Sequence, residues 1–62
     1  MTFTKISNRE WKSKGGKSEF YINLYVTPNL GIKTYTVTGE AYSNIHKEFY
    51  TLNEAKRYAK SL

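Results

Sequence analysis

The sequence predicts an α+β fold: a small three- to four-stranded antiparallel sheet with one C-terminal helix packed on one face. Apolar and polar residues alternate between Glu19 and Thr27, which is typical of a strand with one buried face. Residues 32–38 are dense in β-branched side chains and follow a turn. Residues 52–62 repeat apolar side chains at helical spacing. A chain of 62 residues has room for a single domain, residues 1–62.

The first stretch, residues 2–14, alternates only loosely. We expect it to pair as an extra strand, with a bulge or a strand end near Ser7–Asn8. It leads into Gly15–Gly16, a pair that favours a two-residue hairpin turn because both central residues of that turn need a positive φ. This turn predicts two cross-strand pairs, Trp11–Phe20 and Lys12–Glu19.

The predicted core comes from one face of the two clearest strands. Its members are Phe20, Ile22, Leu24, Val26, Tyr35 and Val37. The opposite, polar face holds Tyr21, Asn23, Tyr25, Thr27, Thr34, Thr36 and Thr38. Between the strands, residues 27–31 contain Pro, Asn and Gly, which favour a turn. Residues 41–50 leave two alternatives open, a short fourth strand or an extended connector that packs Ile45 and Phe49.

A helix is predicted over residues 52–61. Thr51 and Glu54 have the spacing of a capping box, in which side chains satisfy backbone N–H groups at the helix start. The apolar side of the helix is formed by Ala55, Tyr58, Ala59 and Leu62. A helix this short does not persist alone in water, so we expect it to dock on the core face of the sheet.

Several functional classes conflict with the sequence. No apolar run approaches the ~20 residues of a membrane span, and the first residues lack a secretory signal pattern. We therefore expect a cytoplasmic protein without membrane contact. The chain has no cysteine and one histidine, His46, and its glutamates are not paired in an apolar run. We expect no metal site, no cofactor and no enzymatic activity.

The segment Gly16-Lys17-Ser18 ends like a phosphate-binding loop. That motif needs its first glycine where Trp11 stands, and it needs a helix where the clearest strand follows. We therefore interpret the segment as part of a β-turn.

Charge and aromatic content indicate a binding surface for an anionic partner. Ten Lys+Arg against five Asp+Glu give a net charge of +5, and 16% of the residues are aromatic. A helix on one face leaves the other face of the sheet exposed, and its Tyr, Asn and Thr side chains suit base edges or stacked bases. The candidate nucleic-acid-binding residues are Arg9, Lys12, Lys14, Lys17, Tyr21, Asn23, Tyr25, Lys33, Thr34 and Thr36. The Lys-rich hairpin over residues 9–17 is a second candidate contact, or a plain solvated turn.

The predicted strands are followed by a helix that is entered through residues 49–55, with the sequence FYTLNEA. This arrangement resembles the arm-type DNA-binding domain of phage and transposon tyrosine integrases. The resemblance extends over residues 18–60, and helices of that family often open with a similar Phe-x-Thr-x-x-Glu-Ala motif. It implies a three-stranded sheet that lies in the DNA major groove. The implied groove-facing residues are Tyr21, Asn23, Tyr25, Lys33, Thr34 and Thr36. The chain departs from the family in a long connector over residues 40–47 and in its additional first stretch.

A protein partner is the alternative function. A small basic domain rich in Lys, Asn, Tyr and Ile looks like a phage or mobile-element product, and such proteins commonly bind and inhibit a host protein. An inhibitor with this charge would dock on an acidic host surface or add its edge strand to a sheet of the partner. We expect a monomer that binds nucleic acid, with DNA favoured over RNA. The salt dependence of binding separates the two functions.

Overall fold

Five strands and one helix follow one another along the chain. The structure is a computed structural model that describes residues 1–16, 19–39 and 46–62. The elements are β1 (Thr2–Ser7), β2 (Glu10–Lys14), β3 (Phe20–Val26), β4 (Lys33–Gly39), β5 (His46–Phe49) and α1 (Leu52–Ser61). Each strand pairs antiparallel with its neighbour in sequence, and the sheet order is β1-β2-β3-β4-β5. The α+β sheet with a C-terminal helix is confirmed, whereas the expected three or four strands are corrected to five.

The additional strand arises because the first stretch folds back on itself at Asn8–Arg9. The Arg9 N–H donates to Ser7 Oγ (3.4 Å), and the Arg9 carbonyl accepts from the Leu24 N–H of β3 (2.8 Å). A bulge lies between Lys5 and Ser7, since Lys5 pairs with Trp11 and Ser7 with Glu10. The strand end expected near Ser7–Asn8 is therefore the start of a hairpin.

The β2–β3 hairpin differs from the predicted two-residue turn. Trp11 pairs with Ile22 rather than Phe20, and Lys12 pairs with Tyr21 rather than Glu19. Strand β2 ends at Lys14 and β3 begins at Phe20, Gly15 has a φ of +82°, and the Phe20 N–H donates to the buried Ser13 Oγ (2.8 Å). The register is shifted by two residues. Because strand side chains alternate with a period of two, this shift leaves every residue on its predicted face.

Strands β3 and β4 form the longest pairing of the sheet, from Phe20 opposite Gly39 to Val26 opposite Lys33. Thr27 N–H donates to the Ile32 carbonyl (2.9 Å), and Gly31, with a φ of +67°, closes the turn. Residues 41–50 could be a short strand or an extended connector by sequence, and they form strand β5 from residue 46 onward. The expectations for residues 41–45, and those for Lys17 and Ser18, lie outside the described residues.

Helix α1 begins and ends where the sequence predicts. Thr51 is the N-cap: its Oγ1 accepts from the Glu54 N–H (3.2 Å) and donates to Glu54 Oε1 (2.8 Å). Two residues of the predicted apolar side, Ala55 and Ala59, are fully buried against the sheet. Leu62 is instead the C-cap and is 53% exposed, because the helix ends before it can turn inward.

The core lies between α1 and strands β3, β4 and β5. Its buried hydrophobic residues are Phe20, Ile22, Val37, Ala55 and Ala59. Partly buried around them are Met1, Phe3, Trp11, Tyr35, Phe49, Leu52 and Tyr58. Complete burial of Ile22 and Val37 contributes roughly 1.5–3 kcal/mol each. Leu24 and Val26, expected in the core, are only half-buried because they lie beyond the buried cluster along β3.

Candidate nucleic-acid interface

The sheet face opposite the helix, here called the open face, is built from rows of cross-strand neighbours. One row is Thr4, Lys12, Tyr21 and Thr38, and the next is Glu10, Asn23, Thr36 and Glu48. A third contains Tyr25 and Thr34. Because directly paired residues lie on the same side of a sheet, each row is a continuous line of side chains across the strands.

The open face brings together the polar residues that were predicted to bind. Those residues are Tyr21, Asn23, Tyr25, Thr34 and Thr36. Tyr25 is the most exposed of them, at 58%. Lys12 also lies here, with Nζ 3.7 Å from Glu19 Oε1 and 5.9 Å from the centroid of the Tyr21 ring. An exposed ion pair of this kind is worth ~0–1 kcal/mol, so Lys12 remains free to exchange partners.

Of the predicted basic residues within the described ranges, Lys12 and Lys14 are the two that lie on this face. Arg9 lies in the β1–β2 turn and Lys14 at the far end of β2, so β2 separates them by roughly 15 Å. Lys33 pairs with Val26 and shares the face of Tyr35, which is the helix-bearing one. Lys17 lies outside the described residues.

Two carboxylates stand on the open face that the sequence reasoning did not place there. Glu10 and Glu48 flank Asn23 and Thr36 in one row. Glu48 was missed because its segment had no assigned strand. Glu10 was missed although the predicted Trp11–Phe20 pair already implies this face for its neighbour. Both carboxylates oppose phosphate binding at the centre of this face.

The side of the sheet that bears the helix collects most of the cations. Lys5 Nζ lies 5.6 Å from the centroid of Trp11, and Lys47 Nζ lies 5.2 Å from that of Tyr58. These distances are typical of cation–π contacts. The described cations on this side are Lys5, Lys33, Lys47, Lys56, Arg57 and Lys60, and its one described carboxylate is Glu54.

The two sides therefore differ in net charge. Elsewhere in the described residues, three cations balance three carboxylates: Arg9, Lys12 and Lys14 against Glu10, Glu19 and Glu48. An excess of five positive charges lies on the helix-bearing side. That equals the net charge of the whole chain, because the remaining charged residues, Lys17 and Glu40, have opposite signs.

One end of the molecule exposes apolar side chains. Tyr50 is 74% exposed, Leu30 73% and Ile32 43%. Leu30 and Ile32 lie just before β4, and Tyr50 follows Phe49, which pairs with Tyr35 near the start of β4. Tyr50 and Thr34 line a small groove of about 160 Å³ together with Glu48 and Phe49. This end of the open face is apolar and aromatic, with a carboxylate beside it.

Within the described ranges, no helix is long and apolar enough to cross a membrane. The same residues contain no group of three or more His, Asp or Glu side chains that could hold a metal ion.

No family model matches the chain, and neither a curated protein nor a solved structure matches it. The resemblance to integrase arm domains stays a prediction.

Proposed function

We propose that the protein is a small nucleic-acid-binding module with DNA as its ligand. The observation that supports this most is the charge distribution: an excess of five positive charges lies on one side of a 62-residue domain. A basic surface of this kind attracts the phosphate backbone and releases its condensed counterions on binding.

Two surfaces compete for the role. The open face offers Tyr21, Asn23 and Tyr25 to bases, with Lys12 and Lys14 toward one end for phosphates. Two glutamates in its central row oppose a polyanion there. The helix-bearing side offers cations next to aromatic rings, with a single described carboxylate.

The function is tested by titrating labelled duplex DNA, single-stranded DNA and RNA of equal length with the full chain at two salt concentrations. We expect binding that weakens as salt rises, with a linear relation between the logarithms of affinity and salt. Micromolar protein that binds none of the three would contradict the proposal.

A protein partner is the second candidate, favoured by the apolar end of the open face. Tyr50, Leu30 and Ile32 expose large apolar surfaces, which is typical of interaction sites when they lie together. In this version the protein is a small phage or mobile-element inhibitor of a host protein. A double variant, Ile32→Ser with Tyr50→Ser, should then abolish capture of that host protein, whereas Lys56→Gln with Lys60→Gln should not.

A further inference from the structure

We propose that the ligand is a single nucleic-acid strand, and that it binds on the helix-bearing side across a shelf next to the helix. This inference rests on the proposed function and assigns its surface. The shelf is the helix-side surface of β1 and β2, and it is formed by Met1, Phe3, Lys5 and Trp11. It is called the Trp11 shelf below.

The shelf exists because the helix covers only part of the sheet. Helix α1 packs on β3, β4 and β5. The sheet continues beyond them through β2 and β1, whose helix-side residues Phe3 and Trp11 are half-buried. Trp11 rests against Tyr35, with 5.9 Å between ring centroids and 55° between ring planes. One edge of the indole is thus held by the core while part of its surface remains accessible.

A flexible side chain, rather than packed core, lies over the Trp11 ring. The Lys5 Nζ is 5.6 Å from the ring centroid, and Lys5 itself is exposed. A base can therefore take the place of the Lys5 ammonium over the indole, and the ammonium can move to the adjoining phosphate. Stacking on an aromatic side chain is open to any unpaired base, whereas bases in a duplex are already stacked and cannot reach it.

The helix supplies the opposite wall of the shelf. Tyr58 packs against Phe49 of β5, with ring centroids 5.3 Å apart, so that flank of α1 faces the β5 edge. Lys56 and Lys60 lie about half a turn away round the helix, at ~100° per residue, and so lie on the opposite flank, toward β3 and the strands beyond it. Lys56 is half-buried and Lys60 exposed, as expected for side chains rising along this wall. A strand on the shelf would run between Lys5 and these two ammonium groups.

The first test compares two charge-matched double variants: Lys56→Gln with Lys60→Gln on the helix, and Lys12→Gln with Lys14→Gln on the open face. Each removes two positive charges, so the loss of net charge is the same. With a short oligo-dT strand as probe, the helix pair should flatten the slope of log affinity against log salt by about 1.4 units. The open-face pair should leave that slope unchanged. Equal flattening by both pairs, or greater flattening by the open-face pair, overturns the assigned surface.

The second test uses the single tryptophan of the chain in the unmodified protein. Oligo-dT should quench Trp11 fluorescence, and added salt should reverse the quenching. A duplex of the same length should quench it less and bind more weakly. Tighter duplex binding, or oligo-dT binding without quenching, overturns the single-strand assignment.

These outcomes separate the inference from the function on which it rests. If the wild-type chain binds no nucleic acid at all, the proposed function fails and the inference fails with it. If the chain binds in a salt-dependent way but the helix variants behave like wild type, the function stands and the Trp11 shelf is refuted. Melting curves of both double variants must match wild type. We expect this because Lys14 and Lys60 are exposed, and because Gln keeps much of the aliphatic stem of the half-buried Lys12 and Lys56.

Discussion

The two faces of the sheet are made of alternate residues of the same five strands, yet they differ in composition and charge. The helix-bearing face combines aromatic and aliphatic side chains with lysines at its margins, and Lys5 and Lys47 rest on aromatic rings. The open face carries hydroxyl and amide groups, and its described charges balance. The period of two of the strands places Lys5, Lys33 and Lys47 on the helix-bearing side, and α1 adds the cations Lys56, Arg57 and Lys60 there.

Net charge describes a surface only after the strands are assigned to its two faces. The value of +5 indicates an anionic partner wherever the charges lie. The helix covers apolar residues but leaves the lysine ammonium groups around it in water, because long side chains bury their stems and keep their charges hydrated. The face that buries the core can therefore also be the face that carries the excess positive charge.

The largest expected effect comes from placing a charge under the helix. Ala59→Asp buries an unpaired carboxylate where the side chain is fully buried, and should destabilise the protein by at least ~3 kcal/mol, enough to abolish the folded state. Asn53→Asp adds the same charge to the exposed first turn of the same helix and should melt close to wild type. Thermal melts followed by circular dichroism give both values, and equal melting of the two variants would mean that the buried side of α1 is misassigned.

Neighbouring residues of β4 test the two faces directly. Val37 is fully buried against the helix, and Val37→Ala should lower the free energy of unfolding by about 2 kcal/mol through lost burial and a cavity. Thr36 faces the other way, and Thr36→Ala should cost no more than ~1 kcal/mol. Urea denaturation measures both free energies of unfolding. A larger loss for Thr36→Ala than for Val37→Ala would mean that the two faces are assigned the wrong way round.

Two serines that accept backbone hydrogen bonds extend the test to smaller energies. Ser13 is buried, and Ser13→Ala removes the acceptor of the Phe20 N–H at 2.8 Å, which should cost about 1 to 2 kcal/mol. Ser7 is exposed and accepts from Arg9 at 3.4 Å, so water can replace it, and Ser7→Ala should cost less than ~0.5 kcal/mol. A difference below the error of urea titrations would contradict the burial of Ser13.

The smallest expected effect concerns ligand binding at the open face. If the Trp11 shelf is the binding site, Tyr25→Ala changes the affinity for oligo-dT by less than ~0.5 kcal/mol, whereas a base stacked on Tyr25 would make the loss ~1–3 kcal/mol. Fluorescence anisotropy at low salt distinguishes these values. A loss of affinity of ~1–3 kcal/mol would show that the binding site is on the open face instead.

Much of the fold can be predicted from the sequence because its strongest elements are locally determined. Strand β3 follows from strict alternation, and α1 from the Thr51–Glu54 cap and its apolar spacing. The β1–β2 hairpin was not predicted because Asn8–Arg9 lacks the glycine that marks a tight turn, and no described non-glycine residue there adopts a positive φ. The turn depends instead on bonds to Ser7 and Leu24, which only the folded chain brings near.

The candidate site was less predictable than the fold. The polar residues of β3 and β4 could be assigned to one face because their strands were recognised. Lys5, Lys47 and Glu48 could not, because each belongs to a strand whose start or register depends on tertiary pairing. Glu10 could have been assigned, because its neighbour Trp11 was predicted to lie on the core face. Those four residues decide how the charge divides between the sides.

The simple sheet order has a consequence for how the molecule assembles. Every strand pairs with the one made just before it, so no pairing waits for a distant part of the chain, and low contact order favours rapid folding. The helix is the exception, since it contacts β3, β4 and β5 together and can close the core only on a sheet that contains all three. Until α1 packs on the sheet, the ring of Phe20 and the side chains of Ile22 and Val37 stay open to solvent on its helix-bearing face. A chain whose helix has not docked therefore presents an apolar sheet surface of the kind that chaperones bind.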